Sequence, residues 1–208
     1  VKVELTATKR TGLHKYTFPK SSSSNIILDL THRDLAKQSE INITGNNEIT
    51  GFRLSTAWAK NQYVYFVIQF SKPFVRSGIV KANVVSANAK HDTGSFLKAF
   101  VSFETTEGEV IYAKVGISAV SIDGARKNLE AEQPGWEFDK IVADAKAAWN
   151  TELSKIEVES KDNSVMRTFY SAMYHAMTPP NLYQDVDGKY RGRDLQVHQT
   201  KDFTYYTV

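Results

Sequence analysis

Strand patterning governs residues 1–120 and constrains the fold more than any other feature of this chain. Val1, Val3 and Leu5 alternate with Lys2, Glu4 and Thr6, the period-two pattern of a strand buried on one face. The same pattern returns at residues 14–18, 25–30, 41–44, 49–56, 63–70, 79–85, 96–103 and 109–117. Turn-forming pieces separate these runs: Thr11-Gly12, the serines of residues 21–24 (read as a polar loop), Gly45-Asn46-Asn47, Ser71-Lys72-Pro73 and Thr106-Glu107-Gly108. Short strands at near-regular spacing, joined by polar turns, predict an antiparallel β-sandwich.

At Ser121 the period changes. Ser121-Ile122-Asp123 offers a helix N-cap, and residues 125–132 favour helix until Pro134-Gly135. Phe138, Ile141, Val142, Ala145, Trp149, Leu153 and Ile156 then recur every three or four residues, the apolar stripe of a helix of roughly four turns. A polar stretch at residues 159–163 precedes a second stripe, Val165, Met166, Phe169, Tyr170, Met173 and Met177, which Thr178-Pro179-Pro180 ends. Asp187-Gly188 predicts a hairpin turn between strands at 181–186 and 189–194. The expected organisation is a sandwich at 1–120, linker helices at 121–160, and a helix plus β-hairpin at 161–208.

Composition narrows the chemistry by exclusion. The chain has 208 residues and no cysteine, so disulfides, thiolate zinc sites, iron–sulfur clusters and cysteine nucleophiles are out. Its net charge of +3 is spread over alternating lysines and acids, which gives no nucleic-acid footprint. No run approaches the ~18 apolar residues of a membrane helix. Phosphate-binding glycine loops, the zinc-protease helix motif and the nucleophile elbow are absent. The five histidines have no ligand spacing, and His32-Arg33-Asp34 lacks the downstream Asn of a kinase catalytic loop. Asp185-Val186-Asp187-Gly188 opens like a calcium loop but continues into Lys189, Tyr190 and Arg191, so it reads as turn aspartates. Trp58, Trp136 and Trp149 suit either a core or a sugar-stacking surface.

Several long stretches agree with one family. Residues 169–192 (FYSAMYHAMTPPNLYQDVDGKYRG) resemble the opening of the catalytic barrel of glycoside hydrolase family 92, the calcium-dependent exo-α-mannosidases. Residues 2–19 (KVELTATKRTGLHKYTFP), 25–30 (NIILDL) and 63–74 (YVYFVIQFSKPF) are similar to its N-terminal domain. The resemblance implies a mainly β chain with α: an antiparallel β-sandwich, linker helices, and the first helix plus β-hairpin of an (α/α)6 barrel. It also implies inversion at a terminal α-mannoside of a glycan. A carboxylic acid would protonate the leaving oxygen, and a carboxylate would activate water on the opposite face. Calcium would bind sugar hydroxyls, through ligands outside this segment.

Val1 opens in mid-strand and residues 203–208 break off in one, so the expectation is an internal piece of a longer exported protein, periplasmic or cell-surface. Its partners would be a mannose-containing glycan and the remainder of the same polypeptide. The resemblance places the family's tryptophan-aspartate motif, acid, base and calcium ligands further on, so no catalytic or metal residue is assigned. Asn181, Tyr183, Asp185, Asp187 and Arg191 are candidates for lining the approach to the substrate pocket, or alternatively for buttressing the barrel rim. The lost barrel partners predict an exposed apolar patch at Met166, Phe169 and Met173. The alternative function is a non-catalytic carbohydrate-binding sandwich module.

Overall fold

The computed structural model describes residues 1–207; Val208, the last residue of the expected barrel segment, lies outside the described residues. Eleven strands come first: β1 (Lys2–Ala7), β2 (Thr11–Phe18), β3 (Ser21–Asp29), β4 (Leu35–Thr44), β5 (Glu48–Thr56), β6 (Gln62–Phe70), β7 (Arg76–Lys81), β8 (Val84–Ala87), β9 (His91–Gly94), β10 (Leu97–Thr105) and β11 (Glu109–Ser118). Three helices follow, α1 (Ile122–Glu132), α2 (Phe138–Leu153) and α3 (Asn163–Met177). Four short strands close the chain: β12 (Asn181–Leu182), β13 (Lys189–Arg191), β14 (Val197–Gln199) and β15 (Tyr206–Thr207).

The first eleven strands form two antiparallel sheets, one ordered β1-β2-β11-β6-β5-β4-β9 and the other β3-β10-β7-β8. Alternation explains the layer between them. Phe66, Ile68 and Phe70 of β6 point inward to meet Phe103, Val101 and Ile79 of the smaller sheet, while Val67 points outward. Phe70, Phe74 and Phe103 pack as tilted and edge-on rings 5.7 to 6.4 Å apart. The sandwich expected from strand spacing is present.

Four local readings need correction. Thr11-Gly12 lies inside β2, and the reversal falls at residues 8–10, where Thr8 N donates to Thr11 O (2.9 Å). The serine run belongs to β3, because Ser24 is buried and its hydroxyl pairs with Thr105 on β10 (2.8 Å). The segment at 79–85 is two strands, since Ala82 and Asn83 adopt left-handed conformations (φ 47° and 68°) and reverse the chain. β9, an edge strand of four polar and small residues, carries no hydrophobic alternation and was missed.

Helix α1 starts as its sequence dictates: Ser121 Oγ accepts from Gly124 N (3.0 Å), with Asp123 in the first turn. It lies on the outer face of the larger sheet, where Ala125, Leu129 and half-buried Ile122 cover Val67. That approach requires a glycine beneath it, because a Cβ on Gly116 would sit 2.3 Å from Ala125 O. Lys114 closes the other end, its Nζ donating to Gln133 O (3.1 Å) and resting 4.7 Å from the Trp136 ring. Burial holds the Lys114 pKa below the usual lysine range.

Helix α2 buries Phe138 and touches β1, and α3 leans on α2 with Tyr174 4.5 Å from Trp149. The patch expected at Met166, Phe169 and Met173 is not there as drawn: Met173 is buried and the other two are half-buried. The pairing of the two helices supplies cover within the chain, and apolar exposure falls instead on Val165, Tyr174 and Met177.

Candidate functional site

The sequence candidates gather where the last segment meets α1 and the larger sheet. The expected pairing of 181–186 with 189–194 is replaced by two others: β12 pairs with β15, and β13 pairs with β14. Only the turn survives. Gly188 N donates to Asp185 O (2.9 Å) and Asp185 N to Lys189 O (2.8 Å), with Gly188 at φ +84°. A Cβ on Gly188 would also meet Thr200 O at 2.3 Å, so the turn is fixed against the following strand.

Asp185 is buried at the centre of this junction. Its Oδ2 accepts from Ser118 Oγ (2.6 Å), at the end of β11, and its Oδ1 from Asn128 Nδ2 (2.8 Å), on α1. The Asn128 side chain also donates to Ile117 O (2.8 Å) and accepts from Val186 N (2.9 Å), so one amide joins sheet, helix and turn. Burial pushes the Asp185 carboxyl above the ordinary range, and the hydrogen bonds from Ser118 and Asn128 only partly offset it.

A second clamp runs through Arg10 in the β1–β2 turn. Its Nη1 pairs with Glu132 Oε1 (2.6 Å) and its Nε donates to Gln184 O (2.6 Å), while Glu132 also accepts from Arg10 N (2.9 Å) and from the Thr8 hydroxyl. The Gln184 side chain donates to Gly188 O (3.0 Å) and Thr200 O (3.2 Å), tying the turn to the residue that follows β14. Arg191 is the third clamp. Its guanidinium donates to Ala119 O (2.9 Å), Val120 O (3.2 Å) and Leu195 O (2.8 Å) and stacks 4.4 Å from the Tyr63 ring on β6.

The other candidates are placed differently. Tyr183 is half-buried beside Tyr205, and burial raises its phenol pKa. Asp187 is part-exposed; burial pulls its pKa up, but the Lys189 amide and the Lys127 and Lys189 ammonium groups prevail and hold it low. Asn181 is exposed on the wall of a groove of about 990 Å³ between the β1–β2 turn, α2 and β15, which Arg10, Glu132, Trp149 and Tyr206 also line. The structure therefore turns Asp185 and Arg191 inward onto protein partners, leaves Asn181 exposed, and sets Asp187 part-exposed between Lys127 and Lys189. Ser118, Asn128, Arg10, Glu132 and Tyr63 were not foreseen, because they meet only through the fold and no local motif marks them.

Among the described residues, no group of three or more His, Cys, Asp or Glu side chains comes together to hold a metal ion. Asp185 turns both oxygens to protein donors and Asp187 faces two lysines, so neither fits a calcium site.

Comparison with known proteins agrees with this architecture. The glycosyl hydrolase family 92 N-terminal domain matches residues 1–118, and the family's catalytic domain matches residues 124–208. A family 92 α-mannosidase of Bacteroides thetaiotaomicron superposes with TM-score 0.92 at 32% identity, over 98% of this chain and 28% of that one. The structure described as its complex with mannoimidazole superposes at 0.91 over the same shares. A further Bacteroides thetaiotaomicron enzyme, described as an inverting family 92 mannosidase, shares the fold at 23% identity and TM-score 0.87, over 98% of this chain and 28% of its own. An uncharacterized secreted glycosidase of Arthroderma benhamiae is 26% identical over 88% of this chain and 27% of its own length. The chain thus spans a little over a quarter of the relatives it matches. With one family domain ending at the last sandwich strand and the next beginning in α1, across the junction just described, the chain belongs to glycosyl hydrolase family 92.

Proposed function

We propose that these residues are the structural junction of an exported exo-α-mannosidase that hydrolyses terminal α-mannosides of glycans with inversion, and that they are inactive alone. The observation that carries this reading is the continuity of two family domains across one buried polar junction, Asp185 with Ser118 and Asn128. The α-mannosidase relatives of family 92 and the mannoimidazole bound by one of them support a mannose-containing substrate. The secreted relative supports export, and among the described residues no helix is long and apolar enough to cross a membrane. Periplasmic or cell-surface placement belongs to the same proposal. So does calcium, held by ligands outside these 208 residues. Within the segment, Asp185 and Arg191 hold the start of the catalytic domain on the sandwich, while Asn181 and Asp187 are the residues positioned to line an approach.

An aryl α-mannoside assay with calcium tests this on two lengths of chain. The 208-residue chain should give no turnover. A chain extended to the length of the relatives should release β-mannose first and lose activity to a chelator. Turnover by the short chain, or a folded extended chain that cleaves no α-mannoside, would overturn the proposal.

A further inference from the structure

One end of the sandwich carries an exposure that packing does not explain. Trp58, in the β5–β6 loop, is 96% exposed, and Phe96, just before β10, is 58% exposed. A single exposed apolar residue is ordinary, but a fully exposed tryptophan on a fastened loop is not. Lys37 Nζ donates to Lys60 O (2.6 Å) and Asn61 Oδ1 (3.0 Å), which fixes the Trp58 loop, and Ser95 Oγ donates to Lys37 O (2.9 Å), which ties the Phe96 segment to the same strand. Arg53 fastens the neighbouring β3–β4 loop through Leu30 O (2.9 Å) and His32 O (3.1 Å). Two loops at this end are thus held by cations bound to backbone carbonyls and a third by a serine hydroxyl, a preorganised surface whose ordering is complete before anything binds.

The polar groups beside the Phe96 ring have a definite chemistry. Phe96, Thr31, Asn83 and Lys98 line a cleft of about 280 Å³ on the smaller sheet. Lys98 pairs with Asp29 (3.0 Å), whose Oδ1 also accepts from Thr31 N (2.8 Å) and Thr31 Oγ1 (2.6 Å). An aromatic face beside a paired ammonium and carboxylate, with the Asn83 amide on the same wall, suits a pyranose, which presents apolar C–H bonds on one face and hydroxyls at its edge. We infer that this end of the sandwich is a non-catalytic glycan-binding surface, with Trp58 as the main stacking platform and the Phe96–Lys98 cleft as a second subsite, and that its ligand is a mannose-containing glycan chain. The choice of mannose rests on the proposed function; the surface itself does not.

The test is titration of the 208-residue chain with soluble yeast α-mannan and with dextran, read by tryptophan emission and by gel retardation. Mannan should blue-shift the emission and retard the protein. Trp58→Ala should weaken retardation about tenfold or more and abolish the shift, with unchanged circular dichroism because its ring supports nothing else. Phe96→Ala should weaken retardation less, and Trp58→Phe should recover part of it. Binding of dextran but not mannan would retain the surface and overturn the mannose assignment. Failure of both glycans to bind, equal mannan binding by Trp58→Ala, or Trp58-dependent self-association of the chain without glycan, would overturn the inference. Mannoside cleavage by the extended chain is unaffected by any of these outcomes and is judged separately.

Discussion

Replacing Asp185 by alanine and, separately, by asparagine distinguishes a carboxyl that fastens the junction from one that must carry charge. Alanine removes both acceptors. Ser118 Oγ loses its 2.6 Å partner, and Asn128 keeps its bond to Ile117 O (2.8 Å) while losing the one to Asp185 (2.8 Å). Each lost bond to a charged acceptor costs roughly 1.5–3 kcal/mol, and removing a desolvated carboxylate returns part of that. The net loss is about 2 kcal/mol, or roughly 1 M in the urea midpoint for a chain of this size. Asparagine keeps an oxygen for Asn128 and offers its amide to the Ser118 hydroxyl, so D185N should be near neutral or stabilising at pH 7. The pH dependence follows from the raised pKa. The contribution of Asp185 is fully present below its unfolded value of about 3.9 and is lost as pH rises through the higher folded value. D185N should therefore gain on the wild type across that window and hold the gain above it. Urea unfolding of the three proteins at pH 3.5, 5 and 7, followed by circular dichroism, supplies the comparison. If D185N falls as far as D185A at pH 7, the negative charge itself is needed and the buttressing account of Asp185 is wrong.

Three further perturbations probe neighbouring parts of the same architecture. Gly116→Ala should cost about 2–3 kcal/mol by driving a methyl against Ala125 O, where a Cβ would lie at 2.3 Å, and thermal melts should show the loss. Arg191→Lys should cost about 1–2 kcal/mol and speed amide exchange in β13 and β14, because one ammonium cannot reach three carbonyls and stack on Tyr63; unchanged exchange there would reject the clamp. Glu48 accepts both Arg126 nitrogens (2.8 and 2.7 Å) and the Gln69 amide (3.0 Å), which hold its pKa below the usual range. Its contribution of about 1 kcal/mol, discounted for the exposed side of Arg126, is present above its unfolded pKa of about 4.3 and lost as pH falls through the lowered value. Glu48→Gln should flatten that acid limb.

The sandwich was legible because burial on one face leaves a period-two trace, as in β6, where Phe66, Ile68 and Phe70 alternate with outward residues. Helix α1 was legible at its cap, where Ser121 binds Gly124 N (3.0 Å). Strand β3 was misread at its start because its serines are buried by cross-strand hydroxyl pairing rather than by hydrophobicity. The terminal pairing was misread for another reason. Asp187-Gly188 does mark a turn, but the partners of its flanks are chosen through Gln184 by Arg10 and Thr200, which lie elsewhere in the chain. Asp185 and Arg191 stood out by residue type, yet their partners Ser118, Asn128 and Tyr63 sit on separate elements and carry no shared local signal. The family was legible through several long similar stretches, whereas the role of each junction residue needed the fold.

Residue-resolved hydrogen exchange across the junction tests the central claim most directly. The amides of Asp185, Val186 and Gly188, bonded to Lys189 O, Asn128 Oδ1 and Asp185 O, should open together with α1, at an exchange free energy matching the global stability of the sandwich. If residues 184–191 instead exchange as a free segment while α1 and the larger sheet stay protected, the start of the catalytic domain is not fastened through Asp185 and Arg191.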